Sequence, residues 1–289
     1  MAEITAALVK ELREMTGAGM MECKKALVET DGDVEKAVDN LRTAGLAAVA
    51  KKAGRATNEG TIAAIVSAQG NTGALVELNC ETDFVGINDK FKAYAEKIAQ
   101  AVLTNKPADL EALKASSIEG ETVEAIVTDA IHTLGENIQL PRFAYADQAN
   151  GAVSSYIHGA GKIGVLVEFE LGNGALANSE DFARFGRDIA MQVAAAAPVS
   201  VDRDSVDPAI IEHELSIYKA QAAESGKPEN IQEKMAQGRI EKYYKENCLT
   251  EQEYVKNPDQ TITQYVDATA KGLGTDIKIV GFTRFVLGE

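Results

Sequence analysis

Residues 60–77 read GTIAAIVSAQGNTGALVE, and residues 151–168 read GAVSSYIHGAGKIGVLVE. At a fixed offset of 91, Gly60, Gly70, Gly73, Leu75, Val76 and Glu77 fall on Gly151, Gly161, Gly164, Leu166, Val167 and Glu168. The match continues without a gap, with Phe91, Ile98, Ala99 and Val102 falling on Phe182, Ile189, Ala190 and Val193. Self-similarity at a fixed period marks a repeated structural unit. The first copy opens with two β-rich runs about a glycine-containing turn, Thr61 to Ser67 and Ala74 to Cys80, and a helix from about Asp89 to Thr104 follows. Each unit is therefore expected to be a hairpin followed by a helix.

A further strand closes each unit, since Ile138 to Tyr145 with Arg142-Phe143 resembles Ile277 to Leu287 with Arg284-Phe285. On that pairing Gly60 to Arg142 spans 82 residues and Gly151 to Arg284 spans 133, so the second copy carries 51 more. The surplus falls where Ile210 to Asn247 reads as two charged helices joined at Ser225-Gly226-Lys227-Pro228. Their apolar spacing, Ile211, Leu215 and Tyr218, then Ile231, Met235, Ile240 and Tyr243, predicts an antiparallel helical hairpin projecting from the second unit. A contact arm and a packed excursion without a role are both compatible with this pattern.

Working back toward the start, Ile4, Leu8, Leu12 and Met15 recur at helical spacing, and a Gly17-Ala18-Gly19 turn follows. Met20 to Val28 restarts the pattern with Cys23 and Leu27 on one face. After Asp31-Gly32-Asp33, a third helix capped by Asp33 carries Val34, Ala37, Val38 and Leu41. Ala44 to Glu59, rich in Ala, Lys and Gly, is expected to be a linker. The fold class is α+β: a three-helix module and linker in 1–57, a first core half in 58–147, and a second in 148–289 with its helical hairpin at about 208–250.

The 289 residues are 45% hydrophobic and 25% charged, enough apolar material for a core in about two domains. Lys and Arg number 29 against 44 Asp and Glu, a formal net charge of -15, which argues against direct nucleic-acid binding by phosphate neutralisation. Residues 1–57 carry nine basic and nine acidic side chains, so the whole excess lies after them. Cys23, Cys80 and Cys248 are odd in number and lack metal-site spacing, which suggests neither a disulfide framework nor a metal site. The early charges Glu3, Lys10 and Glu11 do not fit a secretory signal. The apolar run Ile189 to Val201, broken by Gln192 and Pro198, is too short to span a bilayer. A cytoplasmic protein without membrane attachment is expected.

Catalysis has no visible carrier. His132, His158 and His213 are dispersed, none joins a nucleophile motif, and no phosphate-cradling GxxxxGK[ST] occurs. The glycine-rich pieces Gly70-Asn71-Thr72-Gly73 and Gly159-Ala160-Gly161 sit inside the predicted hairpins, so they read as turns. No cofactor, metal or catalytic residue is assigned. What remains is a difference between the copies: Glu81-Thr82-Asp83-Phe84-Val85 aligns with Gly172-Asn173-Gly174-Ala175-Leu176. A phenylalanine in a strand-to-helix connection either staples the helix start to the core or stands exposed as an anchor for a partner.

Leu12-Arg13, Thr16-Gly17-Ala18-Gly19-Met20-Met21 and Lys24-Lys25-Ala26-Leu27 resemble the N-terminal signature of bacterial elongation factor Ts, and Glu77 through Val85 resembles its second signature. Leu134-Gly135-Glu136-Asn137-Ile138 and Ser155-Tyr156-Ile157-His158-Gly159 also resemble family segments, so the likeness runs from residue 1 to about 288. The family is the guanine-nucleotide exchange factor for elongation factor Tu, the GTPase that delivers aminoacyl-tRNA. The resemblance implies a ubiquitin-associated-like N-terminal domain, two related α+β halves and a dimerisation module in the second. It implies that Thr82, Asp83, Phe84 and Val85 meet the nucleotide domain of the GTPase, in its GDP-bound and nucleotide-free forms. Phe84 would disturb the magnesium site and phosphate loop there. Lys10, Arg13, Met20 and Met21 resemble the N-terminal contact surface on that domain, and His158 and Gly159 resemble core contacts to another domain.

On pattern alone these positions have plainer readings: Met20 and Met21 as core, Lys10 and Arg13 as a solvated face, and His158 as a satisfied strand residue. Gly86-Ile87 departs from the family, which usually has a small residue and then a polar or basic one. Longer members use a trailing helix as an extra arm on the GTPase, and the sequence to Glu289 shows none, so exchange is expected to rest more heavily on the core and N-terminal surfaces. A ubiquitin-like-binding or scaffolding adaptor without exchange activity is the alternative reading. Homodimerisation through the hairpin is a further expectation.

Overall fold

The computed structural model describes residues 4–16, Ala18 and residues 20–289, apart from the side chains of 46–48, 50 and 51. Three helices open it: α1 (Ala6–Thr16), α2 (Met20–Glu29) and α3 (Val34–Lys52). Helical spacing puts Val9 and Leu12, then Cys23, Ala26 and Leu27, then Ala37 and Leu41 into one small core. Asp33 caps α3, accepting the Lys36 N–H at 3.1 Å, after Asp31 and Gly32 turn the chain with φ of 52° and 86°. Gly17 and Gly19 of the expected turn lie outside the described residues.

The third helix corrects the expected linker, because it runs past Ala44 to Lys52 and leaves only residues 53–58 as connection. An Ala-rich stretch without proline favours helix, and the lone Gly45 costs only about 1 kcal/mol relative to alanine. Tertiary contacts offset that cost. Val49 packs on the first half's core, and Lys52 Nζ donates to the Ile131 carbonyl at 3.3 Å.

The first half follows as β1 (Glu59–Val66), β2 (Thr72–Cys80), α4 (Asp83–Gly86), α5 (Asp89–Asn105), α6 (Leu110–Ala115), β3 (Ser117–Ile118), β4 (Glu121–Thr122), α7 (Val123–Leu134) and β5 (Gln139–Asp147). The second is β6 (Gly151–His158), β7 (Ile163–Leu171), a 3₁₀ turn (Gly174–Asn178), α8 (Glu180–Ala196), α9 (Pro208–Ala223), α10 (Glu229–Asn247), β8 (Glu253–Tyr254), β9 (Asn257–Thr261), α11 (Ile262–Leu273) and β10 (Ile277–Val286). Antiparallel sheets β1-β2-β5 and β6-β7-β10 face each other, with a helix-backed core behind each. This is the α+β architecture that the duplicated motif predicts. β2 and β7, and α5 and α8, match at both ends at the offset of 91.

The halves meet about a pseudo-two-fold axis that the glycines make possible. A methyl on Gly73 would stand 2.7 Å from Val153 Cγ1, and one on Gly164 would stand 2.4 Å from Ile62 Cγ2. Val153 and Ile62 are themselves 91 apart. The backbone repeats the exchange: Ile62 N–H donates to the Gly161 carbonyl and Val153 N–H to the Gly70 carbonyl, both at 2.8 Å. Gly70 and Gly161 both have positive φ, 73° and 98°, where a side chain would be strained.

Register corrects the expected pairing of the closing strands. Val76 faces Phe143, and its repeat mate Val167 faces Phe282, so Arg142-Phe143 corresponds to Gly281-Phe282 rather than to Arg284-Phe285. The repeated Arg-Phe dipeptide is coincidental. The surplus in the second half is then 48 residues, not 51, and α7 and α11, twelve residues each, match at an offset of 139.

The surplus builds the expected hairpin. α9 and α10 turn at Gly226 (φ 64°), and Ala222, Ala236 and Ile240 are their buried residues. Arg203 fastens its base, reaching Glu241 at 2.9 Å, pairing with Glu251 and lying 4.5 Å over the Tyr244 ring. Among the described residues no helix is long and apolar enough to cross a membrane.

Candidate partner-binding surface

The chain leaves β2 at Cys80, bends at Glu81 and starts the single-turn helix α4 at Asp83. Thr82 is its N-cap, the hydroxyl accepting the Val85 N–H at 3.4 Å. The same hydroxyl donates to Glu136 Oε1 at 2.6 Å, while Glu136 Oε2 accepts the Glu81 and Thr82 N–H groups, both at 3.0 Å. In return Glu81 Oε1 accepts the Asn137 N–H at 2.6 Å and Arg55 Nη1 at 3.2 Å, and Asn137 Nδ2 donates to the Arg55 carbonyl at 2.8 Å. The Asn137 N–H, with Arg55 beside it, holds the Glu81 carboxyl below the usual carboxylate range.

Two side chains of the turn point in opposite senses. Val85 packs on the first half's core, and Gly86 is buried so close to β1 that an added methyl would sit 3.0 Å from the Gly60 carbonyl. Phe84 is 78% exposed and Ile87 59%. Of the two readings open to Phe84, stapling belongs to Val85 and exposure to Phe84. An exposed phenylalanine leaves roughly 1.5–3 kcal/mol of burial free energy unrealised in the free protein. Cys80 is buried, and desolvation together with the Glu136 charge pushes its thiol up to about 12, so it remains protonated at neutral pH.

At the N-terminal module, Lys10, Arg13, Met20 and Met21 are all exposed, Met21 at 76%. The core reading of the two methionines is corrected, because the inward positions of α2 belong to Cys23, Ala26 and Leu27. Met21, Lys24, Lys25 and Val28 fall at helical spacing on one exposed face. The Lys10–Glu14 pair at 3.6 Å is largely exposed and contributes little.

His158 and Gly159 form the exposed β6–β7 turn, where Gly159, Ala160 and Gly161 all have positive φ. Tyr156 Oη and His158 Nδ1 lie 3.1 Å apart, so the imidazole has a hydrogen-bond partner and remains exposed. One short piece of β1 supports both core segments: Gly60 lies under Gly86, and Ile62 donates to Gly161. Beside them Glu59 meets Lys162 at 2.5 Å. The module and the first half also touch, with Glu22 of α2 3.3 Å from His132 Nε2 of α7.

Nothing in the local sequence pattern singles out a role for Arg55, Ile87, Glu136 or Asn137. Glu136-Asn137 lies in a segment that resembles the family, but nothing in local pattern indicates that a carboxylate 54 residues downstream reaches Thr82. Two surface grooves, about 510 and 410 Å³, lie along β5 and do not include Phe84. Among the described residues no group of three or more His, Cys, Asp or Glu side chains is placed to hold a metal ion.

An exposed phenylalanine on a braced turn of an α+β scaffold, with an exposed apolar and basic helix face in the N-terminal module, has the chemical character of a protein-binding module. The sequence model of the family described as Elongation factor TS matches residues 81–289. Elongation factor Ts of Trichlorobacter lovleyi is 51% identical over 99% of this chain and 93% of its own length. Those of Syntrophotalea carbinolica and Clostridium tetani are 50% and 48% identical, each over 99% of this chain and 94% of their own. The chain belongs to the elongation factor Ts family.

Proposed function

We propose that this chain binds elongation factor Tu in the cytoplasm and promotes release of its GDP by disturbing the magnesium and phosphate site, so that GTP reloads. The observation that carries this reading is the exposure of Phe84 on a turn held from three sides. Thr82 and Val85 fix the turn, Asp83 and Phe84 face outward, and the ring is available to enter the nucleotide domain. Lys10, Arg13, Met20 and Met21 supply a second contact on that domain, and His158 with Gly159 a contact to another.

The physical requirement is differential affinity. A protein that binds the empty GTPase more tightly than the loaded one weakens the nucleotide by the same factor, because coupling is reciprocal. An apolar wedge beside the cation removes charge compensation from the phosphates, and rising GTP then displaces the factor. The chain needs no acid, base or nucleophile of its own for this.

The test is release of labelled GDP from elongation factor Tu with the full chain and with Phe84→Ala. The exchange reading expects acceleration by the former and a reduction of at least about tenfold in the latter; equal rates overturn it. An adaptor built on the N-terminal module would bind its partner equally well in either form. Dimerisation through the α9–α10 hairpin is a companion proposal, checked by the oligomeric state of a chain with 210–247 cut to a short loop.

A further inference from the structure

We propose that Glu136 is a positioning residue for Phe84, acting through the Glu81-Thr82 backbone. The inference rests on the exchange reading and deepens it. Glu136 directs its whole carboxylate at one target: three donors, two backbone N–H groups and one hydroxyl, all from Glu81 and Thr82. Those two residues are the last before α4, so their orientation sets the direction in which the Phe84 ring projects.

The second half supplies an internal control. α7 and α11 match at an offset of 139, and each ends on a left-handed glycine, Gly135 (φ 79°) and Gly274 (φ 66°). The next two residues are Glu136-Asn137 in one half and Thr275-Asp276 in the other. They meet the corresponding loop in both cases. A methyl on Gly172, the mate of Glu81, would be 3.1 Å from Thr275 Oγ1, and the Gly172 N–H donates to the Asp276 carbonyl at 2.9 Å. The N–H at this position is thus held in both halves, by the Asp276 carbonyl in one and by the Glu136 carboxylate in the other. The carboxylate brace belongs only to the half that displays an aromatic ring, whose counterpart is Ala175.

The bond shared by both connections is the one that joining strand to helix requires, whereas the two further bonds, to the Thr82 N–H and hydroxyl, are found on the first alone. Arg55 extends the brace to the segment leaving α3, because its carbonyl accepts from Asn137 and its guanidinium reaches Glu81. Charge-assisted hydrogen bonds of this kind are the strong ones, and a rigid anchor loses less conformational entropy on docking than a mobile one.

The experiment uses full-length Glu136→Ala and Glu136→Gln with two readouts. Hydrogen exchange of the Glu81 and Thr82 amides is expected to accelerate at least about tenfold in Glu136→Ala, with thermal melting close to that of the parent. Unchanged protection overturns the brace. GDP release from elongation factor Tu is expected to fall about fivefold or more in Glu136→Ala, and by less than about twofold further when the substitution is added to Phe84→Ala. Equal losses in both backgrounds overturn the positioning role, as does a loss in thermal stability that accounts for the whole effect. Glu136→Gln keeps one accepting oxygen and is expected to fall between parent and alanine variant; it carries the comparison if Glu136→Ala does not fold. If Phe84→Ala itself leaves GDP release unchanged, the exchange reading fails, while the amide readout still decides whether Glu136 holds the turn.

Discussion

Thr82 to Ile87 in the first half and Asn173 to Asn178 in the second leave matching strands and enter matching helices, yet one shows an exposed phenylalanine and the other an alanine. Around them the halves agree to the residue: α5 and α8 have the same length and both end in a left-handed cap, Lys106 and Ala197. The core that closes the fold tolerates little change, while the connection above it is free to differ. Duplication here supplied a second copy of the scaffold, and the two connections diverged in what they present.

The largest expected effect tests the shared part. Gly73→Val and Gly164→Val each push a branched side chain into the opposite sheet, and each is expected to destabilise the chain by about 2–3 kcal/mol in chemical denaturation. Similar losses for the two support the reciprocal packing; a neutral result at either site breaks it.

Next comes the difference itself. Phe84→Ala is expected to slow exchange at least about tenfold, equivalent to about 1.4 kcal/mol, with stability changed by no more than about 0.5 kcal/mol. The mirror substitution, Ala175→Phe, places a ring where no carboxylate brace exists and is expected to leave GDP release within about twofold of the parent. A gain there would mean that the aromatic alone suffices.

Acid sensitivity sharpens the comparison further, because only the first connection depends on a carboxylate held below its usual range. Glu81 has a depressed folded value, so its contribution is present above the unfolded carboxyl pKa near 4.3 and is lost as pH falls through the folded value. The stability gap between parent and Glu81→Gln is expected to be constant from pH 6 to 8 and to close below about pH 4. A gap that instead changes between pH 6 and 8 would point to another group. The smallest effect is expected from cutting the hairpin at 210–247. Its buried residues, Ala222, Ala236 and Ile240, belong to none of the cores of the two halves, so the melting temperature of the remaining body should shift by only a few degrees.

Much of this was legible in the chain because the repeat carries its own alignment. The offset of 91 located β1, β2 and α5 and their mates, and Asp33 and Gly226 marked a helix start and an interhelical turn. What failed, failed for identifiable reasons. Arg142-Phe143 and Arg284-Phe285 look alike, but strand register obeys cross-sheet packing and slips them by three residues. Gly45 looked like a linker residue until α7 covered it. The site divides in the same way: Phe84 stood out as a departure from its twin, whereas Glu136 reaches Thr82 across 54 residues, and such a contact leaves no local periodicity to detect.

Gly60 under the Phe84 turn and Ile62 bound to the His158 turn are two residues apart on one strand, a span of about 7 Å. A partner that engages one turn therefore meets the other at a set distance. The second encounter is then intramolecular, governed by effective concentration rather than by diffusion.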